Sequence, residues 1–230
     1  MSYPYAIFYG QTLYPAGSNS FDFTDYVACG NNCTKKKYMT LGATSDEAGY
    51  VITQASNGTY YLAGEKDDST FIVNLTTDGL LIWQKTFNIG FSSEYIENLV
   101  EDSDGNLVAT GWTGSSGANY TGYAFKFDPF SQTMTWLKQF STQSRGYDII
   151  EKGAGGNYIV ATHKFVNPAP GLDDDAGLIE LDRATGNQTN LIDKHYTYGS
   201  SESFFALKLH NNRLYTCGRY TNGSAVSGMR

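Results

Sequence analysis

From Tyr123 to Asp128 the residues alternate, with Tyr123, Phe125 and Phe127 on one side and Ala124, Lys126 and Asp128 on the other. That is the period-two pattern of a β-strand. The flanking chain reads the same way. Glu94 to Asp102 is mostly apolar and ends at the turn Ser103-Asp104-Gly105; Asn106 to Thr113 returns as a second strand. Gly114 to Asn119 is a Gly/Ser loop, Pro129 to Gln132 a turn, and Thr133 to Phe140 a fourth strand. Residues 94–140 therefore predict four antiparallel strands joined by short loops.

This unit recurs. Asn57-Gly58-Thr59-Tyr60-Tyr61-Leu62-Ala63-Gly64 matches Asp104-Gly105-Asn106-Leu107-Val108-Ala109-Thr110-Gly111 and Gly155-Gly156-Asn157-Tyr158-Ile159-Val160-Ala161-Thr162. A degraded copy is Asn211-Asn212-Arg213-Leu214-Tyr215-Thr216-Cys217-Gly218. A second landmark keeps step: Trp83-Gln84-Lys85-Thr86-Phe87 with Trp136-Leu137-Lys138-Gln139-Phe140, more weakly Ile192-Asp193-Lys194-His195-Tyr196, and the tail Lys36-Lys37-Tyr38. A repeat of about fifty residues, rich in aromatics and Gly turns, predicts an all-β chain built as a β-propeller.

The expected organisation is an aromatic arm, 1–22, followed by the propeller, 23–230. Within it lie a half-blade at 23–40, blades at 47–88, 94–140 and 146–196, and a half-blade at 202–220. The first half supplies the two strands that the last half lacks. Pairing them closes a four-bladed ring with a mixed terminal blade. The alternatives are a fragment of a larger propeller, or half-blades that complete one another between subunits. A head-to-tail contact of that kind need not close and can build a filament. In the arm, Tyr5, Ile7, Phe8, Tyr9, Leu13 and Tyr14 suit strand addition to a blade edge, of the same chain or a neighbour.

The Asp-Gly-x-aromatic-x-x-x-Gly run, a strand ending in Asp, and Trp-x-Lys-x-Phe together resemble the repeats of β-propellers in large secreted and cell-surface proteins. The resemblance is best over 47–88 and 94–140, looser over 146–220, and absent from 1–22. It implies a propeller fold and export. It implies no catalytic site, because the shared residues are turn and core positions.

The chain carries 16 Lys and Arg against 23 Asp and Glu, a net charge of -7, which argues against a nucleic-acid partner. No apolar run is long enough to span a membrane. The start, Met1-Ser2-Tyr3-Pro4-Tyr5, lacks the look of a signal peptide. An extracellular setting is expected from other signs. Asn32, Asn57, Asn74, Asn119, Asn187 and Asn222 head Asn-x-Ser/Thr acceptors for N-linked glycans, all at turns, loops or strand ends. Cys29 and Cys33 flank a short turn at disulfide reach. Cys217 aligns with Ala63, Thr110 and Ala161 and reads as a small core residue.

Candidate chemistry is sparse. Glu47, Glu94 and Glu202 fall at connections between blades, where a ring would gather them to hold a cation such as calcium, or where they cap turns beside Arg145. Asp173, Asp174 and Asp175 form an acidic loop without calcium-loop spacing. His163, His195 and His210 are scattered and form no triad. No cofactor is expected. The expectation is a non-enzymatic extracellular structural or assembly subunit that associates with itself, through its arm or split blade, in oligomers or fibrils. The alternatives are a ligand- or carbohydrate-binding propeller module, and a propeller lyase or glycosidase with carboxylates assembled from distant loops.

Overall fold

The computed structural model describes residues 47–89, 93–114, 120–142, 144–165, 174–196 and 201–221. These are all-β, in fourteen strands without a helix. β1 (Glu47–Gln54), β2 (Tyr60–Lys66), β3 (Ser69–Leu75) and β4 (Leu81–Phe87) form a first antiparallel sheet in chain order. β5 (Glu94–Glu101), β6 (Leu107–Thr113), β7 (Thr121–Asp128) and β8 (Thr133–Thr142) form a second. β9 (Ser144–Glu151), β10 (Tyr158–Phe165), β11 (Asp174–Leu181) and β12 (Gln188–Tyr196) form a third. β13 (Ser201–His210) and β14 (Arg213–Thr221) pair as a hairpin, joined to the third sheet by one parallel pair, Asp174 with Ser201. No closed ring of sheets forms among the described residues. The arm, the 23–40 segment, Asn32, Asn119, Asn222, Cys29, Cys33 and Asp173 lie outside them.

The sheets pack in series through their first strands: β1 beside β5, β5 beside β9, β9 beside β13. Tyr61, Ala63 and Ile72 of the first sheet meet Ile96, Leu99, Tyr123, Phe125 and Phe127 of the second. Val108, Ala124 and Trp136 meet Ile149, Tyr158 and Val160. Ile159, Ala161 and Leu178 meet Leu207, with Phe204 and Leu214 beside it.

Polar clasps repeat at the turn end of these junctions. The Ser56 N–H donates to the Glu101 carboxylate at 2.5 Å, and the Ser103 N–H to Glu151 at 2.9 Å. Between the second and third sheets the Tyr158 hydroxyl donates to Asp102 at 2.6 Å, and the Lys126 ammonium lies 2.9 Å from the same oxygen. Arg183 covers this group, pairing with Asp104 at 2.7 Å and with Glu151. Burial would raise the Asp102 carboxyl. The Tyr158 hydroxyl, the Lys126 ammonium and the Asn106 N–H outweigh it and hold the carboxyl below its ordinary range.

Each sheet also carries the same irregularity. Tyr50, Glu97, Tyr147 and Phe205 are each one residue too many between the first strand and the second, a β-bulge at the same place in every unit. The repeat's closing glycine belongs to it. A Cβ on Gly64, Gly111 or Gly218 would stand 1.9, 1.9 or 1.8 Å from the carbonyl oxygen of Ala48, Tyr95 or Ser203. In these three units glycine leaves room for a backbone carbonyl that the bulge brings against it; the third unit carries Thr162 there, opposite Gly146.

Candidate binding site

A bulge re-aims its extra side chain, and here it aims three of the four at the second strand. Tyr50 donates its hydroxyl to Glu65 at 2.9 Å. The Trp112 indole N–H donates to Glu97 at 2.8 Å. The Tyr147 hydroxyl and His163 Nδ1 are 3.3 Å apart, their rings stacked with centroids 6.1 Å apart. Glu65, Trp112 and His163 each follow directly on the position that faces the bulge, so three sheets repeat one bulge-to-strand pair.

Neighbouring pairs touch. The rings of Tyr50 and Tyr95 lie 6.3 Å apart across the first two sheets. Tyr95 stacks on Trp112 at 4.0 Å, and Tyr120 meets Trp112 edge-on at 4.8 Å. The Arg145 guanidinium of the third sheet sits 4.4 Å from the Trp112 ring centre and 3.9 Å from that of Tyr120. Tyr147 meets Phe205 of the hairpin edge-on at 5.0 Å. The result is a band of aromatic rings across the bulged end of the inner strands. Tyr50 and Phe205 in it are 47% and 43% exposed.

Charge is set into this band. Desolvation pushes the Glu65 carboxyl up, and the nearby Asp68 adds to the shift; the Tyr50 hydroxyl bond opposes it. Desolvation likewise pushes Glu97 up, against the Trp112 N–H and Arg145. Burial, with the Glu65 carboxylate beside it, pushes the Tyr50 phenol up and keeps it protonated. No family model matches the chain, and no curated protein matches it. The arrangement must speak through its own chemistry: flat apolar faces beside acceptor oxygens, suited to a ligand with both a face and donors.

The residues singled out from the sequence lie elsewhere or act otherwise. Glu94 is fully buried, accepting the Thr70 N–H at 3.0 Å and the Ile89 N–H at 2.6 Å, so it ties the second sheet to the first. Ser144 takes the equivalent place, accepting the Gly122 N–H at 3.3 Å. Glu202 is buried at the start of β13, Glu47 begins β1, Asp174 begins β11, and Asp175 is buried beside it. No group of three or more His, Cys, Asp or Glu among the described residues is placed to hold a metal ion. Asp67 and Asp68, with φ of 48° and 61°, are the two-residue turn of a hairpin.

Asn57 is exposed, its Oδ1 accepting from the Thr59 N–H and hydroxyl; Asn187 is exposed in the turn before β12. Asn74 is 4% exposed and its amide donates to the Thr59 hydroxyl at 3.4 Å. A glycan there needs that nitrogen outside the fold. Cys217 corrects the reading of a small core residue: it is exposed, whereas its counterparts Ala63, Thr110 and Ala161 are fully buried. The bulge pairs were missed because an extra residue inside a strand looks like any other. The signal was a broken alternation: Ile96 and Leu99, three apart, both point inward.

Proposed function

We propose that this chain is a non-catalytic extracellular assembly subunit. It is built from propeller blades and joins copies of itself head to tail. One observation carries the reading. At every internal junction the inner-strand residue two places after the bulge is buried by the preceding sheet: Leu99 is 1% exposed, Ile149 0% and Leu207 7%. Their counterpart on the first sheet, Ile52, is 62% exposed. The facing positions on the second strands, Tyr61, Val108 and Ile159, are 5%, 0% and 2% exposed, whereas Tyr215 on the last hairpin is 52% exposed. The series thus ends in two halves of the same junction, with Ile52 exposed at one end and Tyr215 at the other.

Ile82, 49% exposed, widens the bare area on the first sheet, while Phe71, Val73 and Leu75 of its third strand are covered. A second copy is the occupant that offers the matching half, and such a heterologous contact propagates. The two strands missing from the last hairpin come, in this reading, from residues 23–40, which makes the fourth blade a mixed one. Glycans on Asn57 and Asn187 keep the turn faces soluble outside the cell.

Size-exclusion chromatography with light scattering tests the assembly. The wild-type chain forms oligomers, Ile52→Asp and Tyr215→Asp each give monomers, and a mixture of the two variants gives dimers, since one intact face of each kind remains. A monodisperse wild-type monomer overturns the reading and points to closure of the ring within one chain.

A further inference from the structure

The aromatic band holds one cation already. The Arg145 guanidinium lies over Trp112 and Tyr120, and Glu97, hydrogen-bonded to Trp112, attracts it. A delocalised cation is drawn to aromatic faces by the ring quadrupole, most strongly where a carboxylate is near. One sheet earlier the same parts recur. Tyr50 and Tyr95 present two rings 6.3 Å apart and inclined at 46°, and Glu65 bonds Tyr50 as Glu97 bonds Trp112. Asp68, which accepts from the Ser93 hydroxyl at 3.1 Å, adds a second carboxylate whose field reaches both Glu65 and Tyr95. Yet among the described residues no Lys or Arg lies over Tyr50 or Tyr95.

We propose that Tyr50, Tyr95, Glu65 and Asp68 form a binding site for an organic cation, a guanidinium or an alkylated ammonium. The site goes beyond the assembly reading and does not depend on it. Glu65 bonds Tyr50 through one carboxylate oxygen, and the other has no partner among the described residues, so it is left to accept from the ligand. Glu65, Asp68 and Glu97 face the place against the single charge of Arg145, so the local field favours a cation. Ring faces offer nothing to a hard metal ion, which demands oxygen ligands on several sides. They do suit a cation whose charge is spread over carbon and nitrogen. With Tyr50 nearly half exposed, such a group can reach it from solvent. Its carrier is either a free small molecule or an arginine or methylated lysine side chain of a partner protein.

Isothermal titration of the full chain at low salt tests the site with four probes: arginine amide, citrulline amide, tetramethylammonium and a short Gly-flanked arginine peptide. Arginine amide or the arginine peptide binds, and citrulline amide, which matches arginine in shape and α-ammonium but has a neutral urea in place of the guanidinium, does not. Tighter binding of the peptide assigns the cation to a protein partner; equal binding assigns it to a free amine. Glu65→Gln and Tyr50→Leu each weaken binding roughly tenfold, about one cation–π contact or one charge pair. Phe130→Leu, in the exposed turn between β7 and β8 and outside the band, leaves binding unchanged. Tyr50 is exposed and Gln matches Glu in size, so far-ultraviolet circular dichroism of both variants stays that of the wild type. Citrulline amide binding as well as arginine amide overturns the proposal. So does unchanged binding in both variants, or no binding of any cationic probe.

Discussion

The two ends of the inner strands use the same kinds of side chain to opposite effect. At the turn end, Asp102 has its carboxylate filled by Tyr158, Lys126 and backbone N–H groups, and Glu101 and Glu151 are taken up by serines of the preceding sheet. At the bulged end, Glu65 and Glu97 each accept from one aromatic neighbour, and rings stand partly in solvent. The first end is finished; its polar groups hold sheet to sheet. The second keeps charge and flat surface accessible. What separates them is the bulge, which turns one side chain per sheet out of the packed register. A stability scan should therefore divide the molecule along the inner strands, with large losses at the turn end and small ones at the bulged end.

The steepest loss belongs to Asp102→Ala. It leaves the Lys126 ammonium, 8% exposed, buried without its counter-charge, and removes the acceptor of Tyr158. Breaking a buried pair from one side costs about 3–5 kcal/mol, read as a drop in the urea midpoint at unchanged slope. Acid sharpens the point. The folded carboxyl is depressed, so its contribution is present in full above the unfolded value of about 3.9 and fades as pH falls through the folded value. The gap between wild type and Asp102→Asn is thus constant near neutrality and closes in acid. Asp148, raised by burial, works the other way: its ionised form burdens the fold above the same range, and protonation relieves it. A gap between wild type and Asp102→Asn that stays the same into acid would show that Asp102 is not ionised in the folded chain.

Next comes Gly111→Ala. The added carbon would stand 1.9 Å from the Tyr95 carbonyl oxygen and 2.9 Å from the Tyr123 hydroxyl, so the bulge must open. Overpacking of this kind costs about 1–3 kcal/mol. Because the shift falls beside Tyr95, the Tyr95–Trp112 stack loosens too, which tryptophan fluorescence reports. Unchanged stability and emission would mean that the Tyr95 carbonyl does not exclude a side chain at this position.

Much of this was legible from the chain. The turn glycines Gly58 and Gly105, with φ of 87° and 81°, and the Tyr123–Asp128 alternation announced strands that the structure contains. The glycines at 64, 111 and 218 announced a repeat, and their reason, a carbonyl pressed against the α-carbon, needs the fold to be seen. Glu94 shows the limit. Its position at a sheet-to-sheet connection suggested a cation ligand or a turn cap, but which way a carboxylate turns depends on the N–H groups that the neighbouring sheet offers, Thr70 and Ile89. The aromatic band was the least legible part. Tyr50, Tyr95 and Trp112 lie in three strands, and only the bulge register brings them into one row.

The smallest effect tests the bulged end itself. Tyr50→Phe removes the hydroxyl that donates to Glu65 but keeps the ring beside Tyr95. Glu65 is only partly buried, so water replaces the lost donor, and the change stays within about 0.5 kcal/mol. Electrostatics moves more than stability does. The Tyr50 hydrogen bond is what opposes the upward push of desolvation on the Glu65 carboxyl, so the variant raises that carboxyl further. A carboxyl whose folded value lies above its unfolded one costs the fold in its ionised state, so the variant's small deficit vanishes as pH falls through the carboxylate range. Carbon-detected NMR titration of Glu65 reads the shift directly. A loss of several kcal/mol in Tyr50→Phe would instead place the bulged end with the turn end, as part of what holds the sheets together.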